Sequence, residues 1–508
     1  MTCHWKSTPA LFVLFTAGVL AASLFAPDAA AESTTLDTQS TQVTHNQSEA
    51  ELRVLHQVHD EAWRAFIDGL EDARQALISS KHFAPPLQDS RVSAEGYRYL
   101  LGHLERMIEM ELRLDPKFPE FHASINMLRK WTIENPDTMY LKAPIDSTGF
   151  YKVIAKVANH EEWQTSKRGV AGPKAPRLLT FQTITEVPGN TGSLAEMADC
   201  TNQTLDFVNS FALQLDKDGS FELLIGPEKP EGHKGNFLLS KKRLLCPGTK
   251  KTQDQHAKWL AVREIFSDWQ HEMALDMEIQ RLDSIGAARP PLSSADVNRA
   301  LSNIGKHMPN QIKFWNLLHL MPLEVYGDTN NDGRRNMPLN GINPPAPPFT
   351  AGGVAGSQQI YAAGNYELAD DEALLVKVSA EIEPHYVSFQ LGTAWGEGPD
   401  QQNYISSLTG HQNPISSDGA RYYIIAHQDP GFQGWVDTTG THKGTHSMRF
   451  VFRDQPQANQ LPIAEAQLVK FSALAEHLPK NHPKVTAKQR TAEVAIRQAH
   501  IKRRWRGH

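Results

Sequence analysis

The chain has 508 residues, of which 40% are hydrophobic and 21% charged, and its formal net charge is −6. At roughly 150 residues per domain this allows about three domains, and the composition excludes collagen-like, low-complexity and wholly disordered chains. A net acidic chain also lacks the overall basic footprint of a nucleic-acid-binding protein.

Lys6 ends a short positive region, residues 7–27 carry no charge, and Ala29-Ala30-Ala31 supplies the small-x-small pattern that signal peptidase accepts. This predicts a secretory signal over 1–31, cleaved near Ala31, and a mature chain in the periplasm or outside the cell. The other reading is an uncleaved anchor of about 20 apolar residues; Thr16, Gly18, Ser23 and Pro27 weigh against it. Of the 3 cysteines, Cys3 precedes the apolar stretch, which leaves Cys200 and Cys246. An even number in an oxidising compartment predicts one disulfide, with two separate buried thiols as the other reading.

Residues 32–47 are Thr/Ser/Gln-rich and read as a disordered linker. A helical region is expected over 48–130. Leu55, Val58, Ala62, Phe66, Leu70, Ala73 and Leu77 recur by threes and fours, and Tyr97, Leu100, Leu104 and Met107 repeat the pattern with Ser93 as a cap. Short alternating runs then predict a first β-rich unit over 131–275, a helical insert over 276–326 starting at Ser293 or Ser294, and a Pro/Gly/Asn-rich connection over 327–363. A second β-rich unit follows over 364–458, and then a basic, partly helical tail over 459–508. The fold class is α+β and β-rich.

The two β-rich stretches repeat one another. Phe181-Gln182 and Phe389-Gln390 lie 208 apart, and Asp218-Gly219 and Asp418-Gly419 lie 200 apart. The first stretch ends on Arg263 through Asp268 and the second on Arg449 through Asp454, in the same order. We read an internal duplication with helix inserted between the copies. Residues kept in both copies are then expected to be scaffold, with Arg263–Asp268 and Arg449–Asp454 as structural pairs. Residues peculiar to one copy are the better site candidates.

At Asn135-Pro136-Asp137-Thr138-Met139-Tyr140 and Asp429-Pro430-Gly431 through Trp435-Val436-Asp437-Thr438, the chain resembles bacterial proteins carrying the domain of unknown function 1214, often beside a related N-terminal domain. Further matching stretches are Gly364 through Leu374, Ser407 through Gln412, Asp268-Trp269 with Glu272, and Val485 through Arg490. The resemblance implies jelly-roll-like β-sandwich units and no established reaction. Where it leads one to expect Asn-Trp, this chain has Gly434-Trp435.

Several constellations could carry chemistry. Asp328, Asn330 and Asp332 followed by Gly333 have the order of a calcium loop, but the twelfth position is Leu339, so only a looser calcium site completed by a distant carboxylate fits; a plain turn is the other reading. His442 and His446 are four apart, near His385, His411 and His427, yet Gly440 and Gly444 argue for loop rather than a helical zinc motif. No Gly-x-Ser-x-Gly elbow, phosphate loop or dinucleotide pattern is present. Carboxylate or histidine acid–base work remains, with Asp137, His411, Asp429 and Asp437 as catalytic candidates. Asn135 and Gln412 are ligand-binding candidates, and Tyr140, Trp395 and Trp435 could floor a pocket. Residues 480–508 hold nine Lys/Arg and one acidic residue, which suits either contact with anionic lipid or docking onto the chain's own acidic body. Two functions stay open: an exported hydrolase acting on a small organic molecule in a cleft between the β-units, and a non-catalytic binding protein.

Overall fold

The computed structural model describes residues 48–79, 90–131, 134–165, 169–246, 248–321, 337–347 and 359–504. The expected signal segment, the linker and the loop with Asp328, Asn330 and Asp332 lie outside the described residues.

Strands dominate because apolar and polar residues alternate. The first unit holds β1 (His122–Ile125), β2 (Thr138–Pro144), β3 (Tyr151–Lys156), β4 (Leu178–Ile184), β5 (Thr204–Asn209), β6 (Ser220–Gly226) and β7 (Asn236–Leu239). It continues with β8 (Lys241–Leu245), β9 (Thr252–His256), β10 (Trp259–Ile265) and β11 (Asp276–Arg281). Two sheets, ordered β1-β2-β10-β4-β5 and β11-β3-β6-β7, close on one core, and β8 and β9 form a separate hairpin. In β3, Tyr151, Val153 and Ala155 enter that core while Lys152 and Lys156 face away. β4 is buried at every position, because its outer face meets the second unit at Leu178 and packs near Met110 and Leu114 at Ile184.

The second unit holds β12 (Gln359–Glu367), β13 (Glu372–Ser379), β14 (Tyr386–Gly392), β15 (Ser407–Thr409), β16 (Arg421–Ala426), β17 (Trp435–Asp437), β18 (Lys443–Val451) and β19 (Ile463–Lys470). Its sheets run β12-β18-β14-β15 and β17-β16-β13-β19. Strand for strand this repeats the first unit without β1 and the hairpin, and each copy has one parallel pair in the same place, β6 with β7 and β16 with β17. Phe181 lies opposite Val262 and Val208; Phe389 lies opposite Met448 and Leu408. The expected duplication is present.

The expected helical insert begins too early. Asp276–Arg281 is β11, the edge strand beside β3, so the first unit extends past residue 275. Likewise β19 pairs with β13, so the second unit extends past residue 458.

Equivalent residues make the junction between the copies. Leu178 and Ile265 cluster with their counterparts Tyr386 and Val451. Arg177 Nε donates to the His385 carbonyl at 2.6 Å, and His385 Nε2 donates to the Arg177 carbonyl at 2.7 Å. Reciprocal contacts of this kind are what a two-fold axis produces in a homodimer; here they occur within one chain.

The helices are α1 (Glu49–Ile78), α2 (Ser90–Leu112), the single turn α3 (Glu161–Gln164), α4 (Ser294–Leu320) and α5 (Ala487–Arg504). α4 starts at Ser293, whose hydroxyl accepts from Asp296 N while the Asp296 carboxylate accepts from Ser293 N. α2 begins at Ser90, ahead of the expected cap at Ser93, and Tyr97 is exposed. Its buried stripe is Val92, Gly96, Tyr99, Gly102, His103, Arg106 and Met107, shifted because two glycines permit close approach. α1 and α4 touch at Gly69 and Gly305, where a Cβ on Gly69 would lie 2.0 Å from the Gly305 carbonyl oxygen. Gly305→Ala should therefore cost about 1–3 kcal/mol by overpacking. Urea unfolding should show a lower midpoint with an unchanged slope; an unchanged midpoint would contradict this packing.

The basic tail turns inward. Arg490, Arg497, His500, Ile501 and Arg504 of α5 are buried. Arg490 pairs with Asp429, Arg497 donates to the Ser407 carbonyl, and Arg504 donates to the Pro136 carbonyl. α5 thus ties the second unit to the first. No described helix is long and apolar enough to cross a membrane.

Candidate functional site

A cleft of about 240 Å³ opens at the junction of the two β-units. Several segments line it, and three loops carry its central groups. The first follows β10: Asp268 Oδ1 accepts from Gln270 N and His271 N, an Asx turn that fixes the carboxylate. The second follows β15, where Thr409 Oγ1 accepts from Gln412 N and donates to the Ser267 carbonyl at 2.7 Å. That bond clamps the His411 turn of one unit onto the Asp268 turn of the other. The third runs into β4 and supplies Lys174 and Arg177.

The lining is charged. His411 Nε2 lies 3.5 Å from Asp268 Oδ1, while His271 Nδ1 and Lys174 Nζ approach Asp268 Oδ2 at 2.9 and 3.2 Å. Lys174 also meets Glu162 at 3.1 Å, and Arg177 donates to the other oxygen of Glu162. Arg421 makes a two-pronged pair with Glu383 at 2.6 and 3.2 Å. Glu272 Oε2 accepts from Ser267 N at 2.6 Å and from Arg177 N at 3.1 Å.

Environment separates these groups in proton affinity. Burial would raise Asp268, but the His271 hydrogen bond and the charges of His411 and Lys174 outweigh it and hold the carboxyl below the usual range. Glu272 is 1% exposed, and burial pushes it up to about 8 against the weaker pull of Ser267 N and Arg177. Burial lowers His411 despite the Asp268 charge beside it. At neutral pH the cleft therefore holds an ionised Asp268, a neutral His411 and a protonated Glu272. Carboxyls pushed apart in this way divide acid from base work.

Of the residues expected from sequence to act, only His411 lies in this cleft. Asp137 is fully buried, accepts from the Tyr386 hydroxyl at 2.7 Å, and is raised by burial. It ties the units together and is closed to a substrate. Asn135 Nδ2 donates to that same hydroxyl, and the Tyr140 hydroxyl accepts from Asn135 N. Asp429 is bound by Arg490 and caps Gly431 N. Asp437, raised by burial, accepts from Thr439 N away from His411. Gln412 Oε1 is spent on Thr409 N.

The aromatic floor does not form. Trp395 is 2% exposed, stacks on Tyr99 in the helical layer, and donates to the Val92 carbonyl. Trp435 lies under the Arg490 guanidinium, and Tyr140 lies under that of Arg263. Gly434 explains the departure at the expected Asn-Trp pair: its φ is +85°, and a Cβ there would lie 2.0 Å from the Tyr422 carbonyl oxygen.

The expected Arg–Asp pairs are also corrected. Arg263 and Arg449 stack on the equivalent tyrosines Tyr140 and Tyr361, at 5.7 and 5.8 Å. Asp268 instead serves the cleft, while its counterpart Asp454 is exposed. The strand register makes Phe211 the counterpart of His411 and Arg453 that of Ser267. At that sister locus Arg453 lies over the Phe211 ring at 4.7 Å, and Phe211 packs edge-on against His385 at 4.7 Å. One locus is thus filled by an aromatic ring and the other holds the charged cleft.

Cys200 and Cys246 form the disulfide, with a Cα–Cα distance of 5.2 Å. His446 is buried, with Nε2 on the Gly341 carbonyl, and shares no site with His442. Sequence reasoning missed Lys174, Arg177, Glu162 and Glu272 as site residues; Asp268-Trp269 with Glu272 stood only among the stretches of the resemblance.

No family model and no curated protein matches the chain. Among solved structures, an uncharacterised protein from Burkholderia cenocepacia is similar at 22% identity and a TM-score of 0.63, covering 82% of this chain and 99% of that one. A Vibrio parahaemolyticus protein covers 79% of this chain and 100% of its own, at 12% identity and a TM-score of 0.38. The first shares the fold.

Proposed function

We propose that the chain is an exported, envelope-located hydrolase related to the proteins with the domain of unknown function 1214, acting on a small charged molecule in the His411 cleft. The observation that supports this most is the convergence of His411, Asp268 and Glu272, in three different proton-affinity states, on one solvent-open cleft. Asp268 faces His411 Nε2, which leaves Nδ1 as the basic nitrogen. His411 takes a proton from an attacking water, Asp268 stabilises the imidazolium that forms, and Glu272 gives its proton to the leaving group. Lys174, Arg177 and Arg421 supply positive charge for an acidic substrate group. The small volume suits a metabolite rather than a polymer.

A second reading, a non-catalytic binding module, draws on the fact that the cleft's cations and carboxylates already pair with each other. A thermal-shift screen against charged metabolites, followed by product analysis of the hits, separates the two. The hydrolase reading predicts conversion of a hit by the wild type and a loss of about 100-fold or more in His411→Ala. Saturable binding with no conversion supports the binding module instead.

A further inference from the structure

Outside the cleft, the loops at one end of the second unit bring together three side chains that neither reading uses. Asp370 stands in the turn between β12 and β13, His427 directly follows β16, and His442 directly precedes β18. They are a described group whose ligand atoms all lie within 4.8 Å of one another. His442 Nε2 sits 2.8 Å from Asp370 Oδ1, and the two imidazole rings are 4.5 Å apart.

The loops are held before any ion arrives. Leu368 N donates to the His442 carbonyl at 2.9 Å, joining the Asp370 turn to the His442 strand. His427 Nδ1 shares a 2.8 Å hydrogen bond with Thr438 Oγ1, and Thr438 is fully buried. A buried oxygen on one ring nitrogen is the support a metal-bound imidazole needs, because it fixes the tautomer and leaves the other nitrogen for the ion. His427 Nε2 has only a long 3.3 Å contact, to the Leu368 carbonyl. His442 and Asp370 are 56% and 91% exposed, so solvent reaches the centre of the group.

We propose that Asp370, His427 and His442 form a binding site for a borderline divalent cation of the zinc class. Two imidazoles and one carboxylate suit such an ion better than calcium or magnesium, which favour all-oxygen shells. Three protein ligands leave a position for water or an exogenous anion. The site shares no residue with the His411 cleft, so it stands whether or not the proposed hydrolase activity is found.

The test is titration of the chelator-stripped chain with zinc chloride by calorimetry and with cobalt chloride by visible absorption. The expected result is one equivalent of zinc and the ligand-field bands of a four- or five-coordinate cobalt ion. His442→Gln and Asp370→Asn alter exposed side chains and should each fold normally yet weaken binding about 10-fold or more. Absence of the cobalt bands in the wild type, or equal uptake by wild type and both variants, would overturn the site.

Discussion

Glu272→Gln should make the chain more stable than the wild type at pH 8 while abolishing turnover. Glu272 lines the cleft with only 1% of its surface exposed, and burial raises it to about 8. A carboxyl whose folded pKa exceeds its unfolded value near 4.3 binds more protons in the folded state. Its contribution is fully present below the unfolded pKa and is lost as pH climbs toward 8, at about 1.4 kcal/mol per pH unit. Glutamine carries no such penalty, so the stability gap should widen steadily from about pH 5 to 8. Glutamine also has no acidic proton to give, so the proposed general-acid step fails. Glu264 gives the matched control: it too is buried and raised to about 8, with Oε2 on Leu275 N, but it sits in β10 and does not line the cleft. Glu264→Gln should show the same widening gap with turnover retained. Urea unfolding at a series of pH values reads both variants, and a gap that stays flat with pH would contradict the buried, protonated assignment.

The second large effect is on the disulfide. Replacing Cys200 and Cys246 together by alanine should cost about 4 kcal/mol, the loop-closure entropy of a loop this long. The bond spans a sequence separation of 46 and joins the turn after residues 194–197 to the end of β8, where Gly248 N also donates to the Ala198 carbonyl. Reductant should shift the wild type by a similar amount and leave the double variant unmoved. A double variant within about 1 kcal/mol of the wild type would contradict the role assigned to the bond.

Local patterns carried the fold, and non-local packing carried the site. The strands around Phe181 and Phe389, the cap at Ser293 and the cysteine pair could be read because each depends on neighbours in sequence or on simple counting. Spacing alone does not locate the α2 stripe, because Gly96 and Gly102 look like weak helix formers yet let Trp395 and Leu128 approach. The cleft draws on segments around 162, 174–177, 267–272, 383–387 and 410–421, and their adjacency follows from how two copies meet. In sequence, the repeat at Asp454 marks Asp268 as scaffold. The repeat is real, but His411 faces one copy and Phe211 the other, so equal residues acquired unequal roles. Tyr140 lies under the half-buried Arg263 guanidinium and Trp395 packs on α2, so neither reaches the cleft.

A direct comparison of the two sister loci tests the central claim. Phe already occupies the counterpart position, so His411→Phe should fold as the wild type does, and it should lose ligand response and turnover, whereas Phe211→Ala should keep both. Retained function in His411→Phe together with lost function in Phe211→Ala would place the site at the wrong locus and contradict the account.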